Sequence, residues 1–467
     1  MRPAAMGETI TTSTPDFNGS IRIELSGHHT TSDAGVLALR EALDGSGVVA
    51  ALEDHLVDTR DPTRIRHSLA SQIRTVVLQR AMGWIDLRDT TTLNQDPLWH
   101  LACSDARGLT PLVEARPSPS TLSRLLNCLG TDDNIDTLHE GLLRLAIWRL
   151  RSLHGGERPK HLTLDIDGLP IEVFGQQGGS AFNGYAGARI YSPLVASIAE
   201  TGDMLGGLLR EGNVGPAEDA DTWIPHLVQR VAEGMDLEVD QIRVRLDAGF
   251  TDGETLRAMD SRDIAYLGRL KSNSVLQAKA EPYLVRPPGR PPETPREWCH
   301  DLEYQAGSWE SPRRVVLVVQ ENPDDLLFHA FFLVTNLNKL DYPPEKVLAL
   351  YRKRGKAEAH MGEVKSALNV HLSSTDRGAS TVQQVMARNQ VNLLLSLYAY
   401  EVLHGLRCLL EKETRHGWSL MRVREQVLKV AATITVHARR ITFHLGAAAD
   451  KWWPALLRGL PRLTPLV

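Results

Sequence analysis

The alternation of apolar and polar positions changes character twice along this chain. Up to about residue 155 it runs at helical spacing: LALREALDGSGVVAALEDHL and SLASQIRTVVLQRAMGWIDL place apolar residues three and four apart, interrupted by Gly and Pro. In RPSPSTLSRLLNCL, Ser118 is an N-cap with Pro119 at the first helical position, and Ser120, Thr121 and Arg124 fall on the opening turns. Such a helix start meets phosphates with its amides and hydroxyls, or is simply a capped helix. From His161 the period becomes two. HLTLDID sets Leu162, Leu164 and Ile166 on one face and Thr163, Asp165 and Asp167 on the other, a strand ending in two acids on the same side. Strand-like SPLVASIAE and MLGGLLR follow, then a helix at DADTWIPHLVQRVAEGM, a strand at QIRVRLDAGF ending in Asp247, a helix at GETLRAMDS and a strand at IAYLGRL. Strands first, then alternation with helices, predict an α/β sheet covered by helices.

The second change comes at Leu270. The proline-rich VRPPGRPPETPREW excludes regular structure, and the β-prone runs RRVVLVVQ and LLFHAFFLVTN after it predict a β-rich insertion over 271–337. Helical spacing returns in YRKRGKAEAHMGEVK and around Gln383–Leu410 and Met421–Thr435. The longest apolar stretch, VNLLLSLYAYEVLHGL, is shorter than a membrane span, and the N-terminus has no apolar signal core, so no membrane partner and a cytoplasmic location are expected.

With 467 residues, 42% of them apolar, the chain has room for two or three domains. Cys103, Cys128, Cys299 and Cys408 form no Cys-x-x-Cys pair, which argues against a disulfide framework or a structural zinc site. The net charge of −5 hides an asymmetry: residues 345–467 carry 19 Lys and Arg against 9 Asp and Glu, leaving −15 on the rest. A basic third on an acidic chain is compatible with a nucleic-acid face beside a carboxylate-rich metal site.

At 100° per residue, Tyr351, Arg354, Glu358 and Lys365 share a sector of about 60° on one helix face. One carboxylate between two cations and a phenol suits a metal-bound phosphodiester, although an i, i+4 Arg–Glu pair is also what a solvated helix uses. Asp167, Asp247 and Glu358 are far apart in sequence, yet an α/β sheet brings strand ends and a covering helix together. Three converging carboxylates repel one another unless a divalent cation compensates them, and Mg²⁺ is the natural occupant.

This set resembles the DDE transposases of bacterial insertion sequences, in the group with a Tyr-(2)-Arg-(3)-Glu-(6)-Lys signature and a β insertion between the second Asp and the Glu. Within it, the chain is similar over nearly its whole length to the insertion-sequence-1380 family, through LDIDG with Gly175 and Gln177 after it, LLREGN, RLDAGF, SWESPRRVVLV, YRKRGKAE, RNQVNLLLSLYAYEVL, SPSTLSRLLN and WIDLRDTTTLNQDPLW. The resemblance implies a ribonuclease-H-like mixed sheet core, formed by 156–270 and 338–410 around the insertion 271–337. A mostly helical DNA-binding region, 1–155, and a helical region, 411–467, flank it. Asp167, Asp247 and Glu358 are then the catalytic, metal-binding triad for two Mg²⁺ ions, with Mn²⁺ able to substitute. Arg354 and Lys365 hold phosphates and Tyr351 positions the backbone. Arg352, Lys353, Lys356, Ser120 and Arg124 add DNA contacts, and Trp298 or Trp309 stacks on a displaced base. The implied reaction cuts double-stranded DNA at terminal inverted repeats and joins the ends to target DNA, with a dimer on the synapsed ends at the bacterial nucleoid.

One departure stands out: Leu169 occupies the position where that family has Thr. It leaves a catalytically impaired or domesticated DNA-binding descendant as the alternative. A glycosidase with paired carboxylates fits poorly with the basic helix and an aromatic content of 6%. Gly-x-Ser-x-Gly, His-Glu-x-x-His and Gly-x-x-x-x-Gly-Lys motifs are absent.

Overall fold

The computed structural model describes residues 12–13, 18, 20, 23–24, 30–153, 159–286, 293–325, 327–368, 370, 372 and 381–460. Its centre is an eight-stranded sheet. The strands are β1 (Leu162–Gly168), β2 (Leu194–Ile198), β3 (Met204–Leu208), β4 (Ile242–Leu246), β5 (Ala265–Leu270), β6 (Arg296–Tyr304), β7 (Arg313–Glu321) and β8 (His329–Thr335). They lie in the order β6-β7-β8-β5-β4-β1-β2-β3. β3, β2 and β1 run antiparallel, whereas β4 and β5 run parallel to β1. Three antiparallel strands followed by two parallel ones, with a crossover helix before each parallel strand, make a ribonuclease-H-like core. β2 reads as a mainly apolar run, whereas β1 and β4 alternate apolar residues with Thr163 and Asp165 and with Arg243 and Arg245, all of them buried.

The three strands of the insertion extend this same sheet from the β5 edge. One of them, β6, begins inside the segment expected to be irregular. Beyond Pro295 the run REWCHDLEY has no proline, and all nine of its residues pair with β7. A second difference lies near the C-terminus. Of the expected Met421–Thr435 helix, Met421–Val423 is α-helical and Arg424–Leu428 continues as a π-helical turn, and a hairpin of Ala432–His437 and Arg440–Leu445 follows. ATITV alternates with β-branched residues, and Ala438 and Arg439, with φ of 48° and 65°, make the two-residue turn whose twist suits a hairpin. Its first strand pairs with Thr30–Thr31, so chain regions distant in sequence meet.

Eight helices carry the remaining argument: α1 (Leu69–Ala81), α2 (Pro119–Leu129), α3 (Asp132–Leu153), α4 (Ala220–Met235), α5 (Gly253–Asp260), α6 (Pro344–Arg352), α7 (Gly355–Leu368) and α8 (Val382–Thr414). With 33 residues, α8 is long and apolar enough by composition to cross a membrane, but 89% of its most apolar window is buried inside the protein. It is the axis on which α1, α2, α3 and β3 pack. β3 is a sheet edge, and α8 satisfies it with side chains. Gln390 donates to the Gly207 carbonyl at 2.8 Å and accepts from the Leu209 amide at 2.6 Å, and Glu401 accepts from the Met204 amide at 2.7 Å. These contacts close an edge that would otherwise offer free backbone groups.

Candidate active site

β1 ends in Asp167 and β4 runs into Asp247. The ladder pairs Arg245 with Asp165, so the same register carried two residues further sets Asp247 beside Asp167, at the C-terminal ends of adjacent parallel strands. Asp165 faces the same way as Asp167 but is committed elsewhere. It is 1% exposed, and Arg245 grips it in a fork, Nε to Oδ1 at 2.6 Å and Nη2 to Oδ2 at 2.5 Å. The remaining Arg245 nitrogen donates to the Leu350 carbonyl at 2.9 Å, tying the sheet to α6. Arg245 was not among the residues the sequence singled out; its signal was a strand in which two arginines, Arg243 and Arg245, alternate with apolar residues and all five positions are buried.

Both site aspartates are oriented by the backbone that follows them. Asp167 Oδ1 accepts from the Gly168 amide at 2.9 Å, and Asp247 Oδ1 accepts from the Gly249 amide at 2.6 Å. A Cβ on Gly249 would stand 3.0 Å from Asp247 Oδ1 and 3.0 Å from the Pro216 Cβ, so the tight turn favours glycine.

The helix expected to run unbroken from Tyr351 to Lys365 is two helices. α6 stops at Arg352 and α7 starts at Gly355, because the Arg354 amide bonds to the Tyr351 carbonyl at 2.9 Å in a tighter 3₁₀-type turn. Glycine at 355, a poor helix former, marks the break. Its consequence is that Arg354 turns inward. At 7% exposure its guanidinium lies 3.0 Å from Asp167 Oδ2 and 2.6 Å from Glu358 Oε1, joining an acid of the sheet to an acid of the helix.

Burial raises the Asp167 carboxyl above its ordinary range; Asp247 and Glu358 push the same way, and Arg354 opposes them. Burial alone would lower the Arg354 pKa, but Asp167, Tyr351, Asp247 and Glu358 together raise it. Burial likewise raises the phenol of Tyr351, whose ring packs against a small cluster that includes Val347 and Leu348. Tyr351, Arg354, Glu358, Asp167 and Asp247 therefore share one electrostatic environment.

The other candidates lie outside it. Lys353 and Lys365 are exposed, and Arg352 pairs with Glu297 of β6. Lys356 lies on α7, with its side chain outside the described residues. Ser120 and Arg124 are exposed on α2, where Ser118 caps the Thr121 amide at 3.2 Å. Trp309 is 5% exposed, edge-on to Tyr304 with Arg313 over its ring, and Trp298 meets Phe328 edge-on at 5.7 Å. These are packing positions in the insertion. Leu169 is fully buried in the large core, so a threonine there would bury its hydroxyl as well.

Behind Glu358, a polar network fixes α7. Glu363 accepts from Arg407 and from the Leu420 amide at 3.0 Å, while His360 Nδ1 lies 3.2 Å from both Tyr400 Oη and Arg407 Nη2. Tyr400 and Arg407 belong to α8, so the axis of the fold also holds the helix of the third acid.

The donor set is all oxygen, which suits a hard divalent cation. Among the described residues, no three His, Cys, Asp or Glu side chains are gathered closely enough to hold a metal, and Arg354 is the cation between Asp167 and Glu358. Metal binding by all three acids therefore requires Arg354 to let go of two of them.

The fold is thus a ribonuclease-H-like sheet with acids at its parallel strand ends and on a covering helix. The sequence matches the family described as Transposase DDE domain group 1 over residues 13–463, and the chain belongs to that family. It is accordingly a DNA transposase, and DDE transposase domains use divalent metal ions. The structure is similar to that of piggyBac transposase in its synaptic complex with hairpin DNA, determined by cryo-electron microscopy. The TM-score is 0.41 and the identity 11%, over 94% of this chain and 88% of that one. No curated protein matches the sequence.

Proposed function

We propose that this transposase cuts an insertion sequence at its terminal inverted repeats and joins the freed ends to target DNA, with Asp167, Asp247 and Glu358 as the catalytic carboxylates. The observation that carries this reading is the cross-linking of a strand-end acid and a helix acid by one buried arginine, next to a second strand-end acid. Such a group is poised to exchange one internal cation for others. Two Mg²⁺ ions, or Mn²⁺ in their place, supply polarisation of the attacking water or 3′-hydroxyl and neutralisation of the leaving oxygen. Asp167 and Asp247 hold their oxygens in place through the Gly168 and Gly249 amides. Arg354, once released from Asp167 and Glu358, becomes a ligand for a non-bridging phosphate oxygen, where its planar fork suits the geometry. Lys365 lies seven residues beyond Glu358, about 10 Å along the same helix face, and meets a neighbouring phosphate. Two ends must be held together for joining, which makes a dimer on DNA the working assembly. Leu169 belongs to the core, so its lack of a hydroxyl is not a reason to expect an inactive site.

The test is cleavage of DNA carrying the flanks of its own gene. Asp247→Asn is expected to abolish metal-dependent nicking, by a factor of about 10³ or more, with end binding within about twofold of the wild type. Substantial residual nicking by that variant removes Asp247 from the triad, and no nicking by the wild type with Mg²⁺ or Mn²⁺ removes the reaction.

A further inference from the structure

The two tryptophans marked for base stacking are packed in the insertion, but the fold exposes three other large aromatics. Phe174 is 71% exposed, Phe182 67% and Tyr185 fully, and all three lie in the connection between β1 and β2 that directly follows Asp167. That connection is a structured unit. Ile171–Glu172, Ala181–Asn183 and Ala188–Tyr191 form a small antiparallel sheet. Phe182 stands opposite Arg189 in the ladder, which puts a ring and a guanidinium on the same face.

Tyr185 is held out by the turn that carries it. Asn183 Oδ1 accepts from the Tyr185 and Ala186 amides at 3.0 and 3.1 Å, and the Gly187 amide returns to the Asn183 carbonyl at 2.9 Å. Gly187 takes φ of +64°, the left-handed conformation this turn needs. The unit is fastened to β1 and to the loop after β3. β1 leads into it, and the loop after β3 bonds to it through Gly212 N to Gly179 O at 3.1 Å and Asn183 Nδ2 to Gly212 O at 3.3 Å. Pro216 of that same loop abuts the Gly249 turn that orients Asp247. The base of the unit therefore adjoins the chain that leaves Asp167 and the loop that abuts the Asp247 turn.

Exposed rings of this size mark a surface that something covers. The surroundings are not those of a protein docking patch: in GQQGGSAFNGYAGAR the rings alternate with Gly, Gln, Asn and Arg, leaving isolated flat faces among hydrogen-bonding groups. Isolated rings with polar neighbours match unpaired nucleobases, each of which offers a flat face regardless of its identity. We infer that the 174–187 hairpin is a stacking platform for unpaired bases of the DNA end, beside the strand break made at Asp167, Asp247 and Glu358. It rests on the DNA-cleaving reading above. It also replaces Trp298 and Trp309 in the stacking role.

The experiment compares the full-length wild type with the Phe182→Ala/Tyr185→Ala double variant. Fluorescence anisotropy measures their affinity for labelled oligothymidylate and for a blunt duplex of equal length at one salt concentration. Both side chains are solvent-exposed, so the variant is expected to melt with the wild type. Single-strand affinity should fall roughly tenfold or more, duplex affinity should stay within about twofold, and the Phe182→Trp/Tyr185→Trp variant should regain single-strand binding. Unchanged single-strand affinity, or an equal loss on both DNAs, overturns the inference. So does an effect confined to the sedimentation of the protein alone, which would make a second copy the occupant. If the wild type binds neither DNA, the DNA-cleaving reading itself falls; a binding wild type with indifferent variants sinks only the platform.

Discussion

At the scale of single residues, Arg354 is where local pattern and tertiary structure diverge. Its spacing to Glu358 is an ordinary i, i+4 ion pair, legible from the sequence. Its contact with Asp167 depends on the break at Gly355 and was not. Because the guanidinium is buried and faces two acids, removing it leaves like charges close together with no compensation. Arg354→Ala should cost about 1–3 kcal/mol, the upper figure being limited by the exposure of Glu358. In differential scanning fluorimetry the variant should melt several degrees below the wild type in EDTA, and Mg²⁺ should narrow that gap by replacing the lost cation. A gap that is absent in EDTA, or that Mg²⁺ leaves unchanged, would mean that Arg354 does not balance these carboxylates. Asp165 teaches a related lesson. Two acids on one strand face are equivalent in sequence, and only the partner on β4 separates the structural one from the site one.

At the scale of elements, the strands of the core were readable because apolar residues recur at every second position in β1 and β4 and run together in β2. The elements that went unread were those whose formation depends on a distant partner. β6 needs β7, and the C-terminal hairpin needs a two-residue turn and the strand at Thr30–Thr31. The orientation of α7 belongs to this scale as well. Its register is held by Glu363 and His360 against Arg407 and Tyr400 of the buried α8. Arg407 is thus a positioning residue for Glu358. Arg407→Met should lower the turnover of nicking about tenfold or more while leaving affinity for end DNA within about twofold, and Arg407→Lys should recover part of the turnover. Equal loss of affinity and turnover, with no recovery by lysine, would assign the residue to general stability instead.

At the scale of the whole molecule, α8 joins the helical N-terminal region, the sheet edge and the Glu358 helix. Gln390→Leu removes the side chain that pairs with β3 and leaves the Leu209 amide and Gly207 carbonyl buried without it, a loss of about 2–4 kcal/mol. Urea unfolding should register that loss in the midpoint; an unchanged midpoint would show that the edge is satisfied some other way. Overall charge also reads differently once folded. Arg354, Arg388, Arg407 and Arg424 of the basic third are buried, so part of its excess works inside the protein. Lys365 is exposed and should contact phosphate directly. Lys365→Ala should reduce the slope of log affinity against log salt by about one, and an unchanged slope would return it to the solvated surface.

By itself the sequence determined the strands of the core, their terminal acids, most of the helices and the family signature, because these follow from periodicity and residue type over a few neighbouring positions. Only the tertiary structure decided which acid is neutralised by Arg245, which arginine turns between Asp167 and Glu358, and which aromatics remain in solvent. Those outcomes depend on residues 80, 105 and 187 positions apart, since Arg245 reaches Asp165 and Leu350 and Arg354 reaches Asp167. A buried charge must find its partner wherever the fold brings one, and no local pattern encodes that distance.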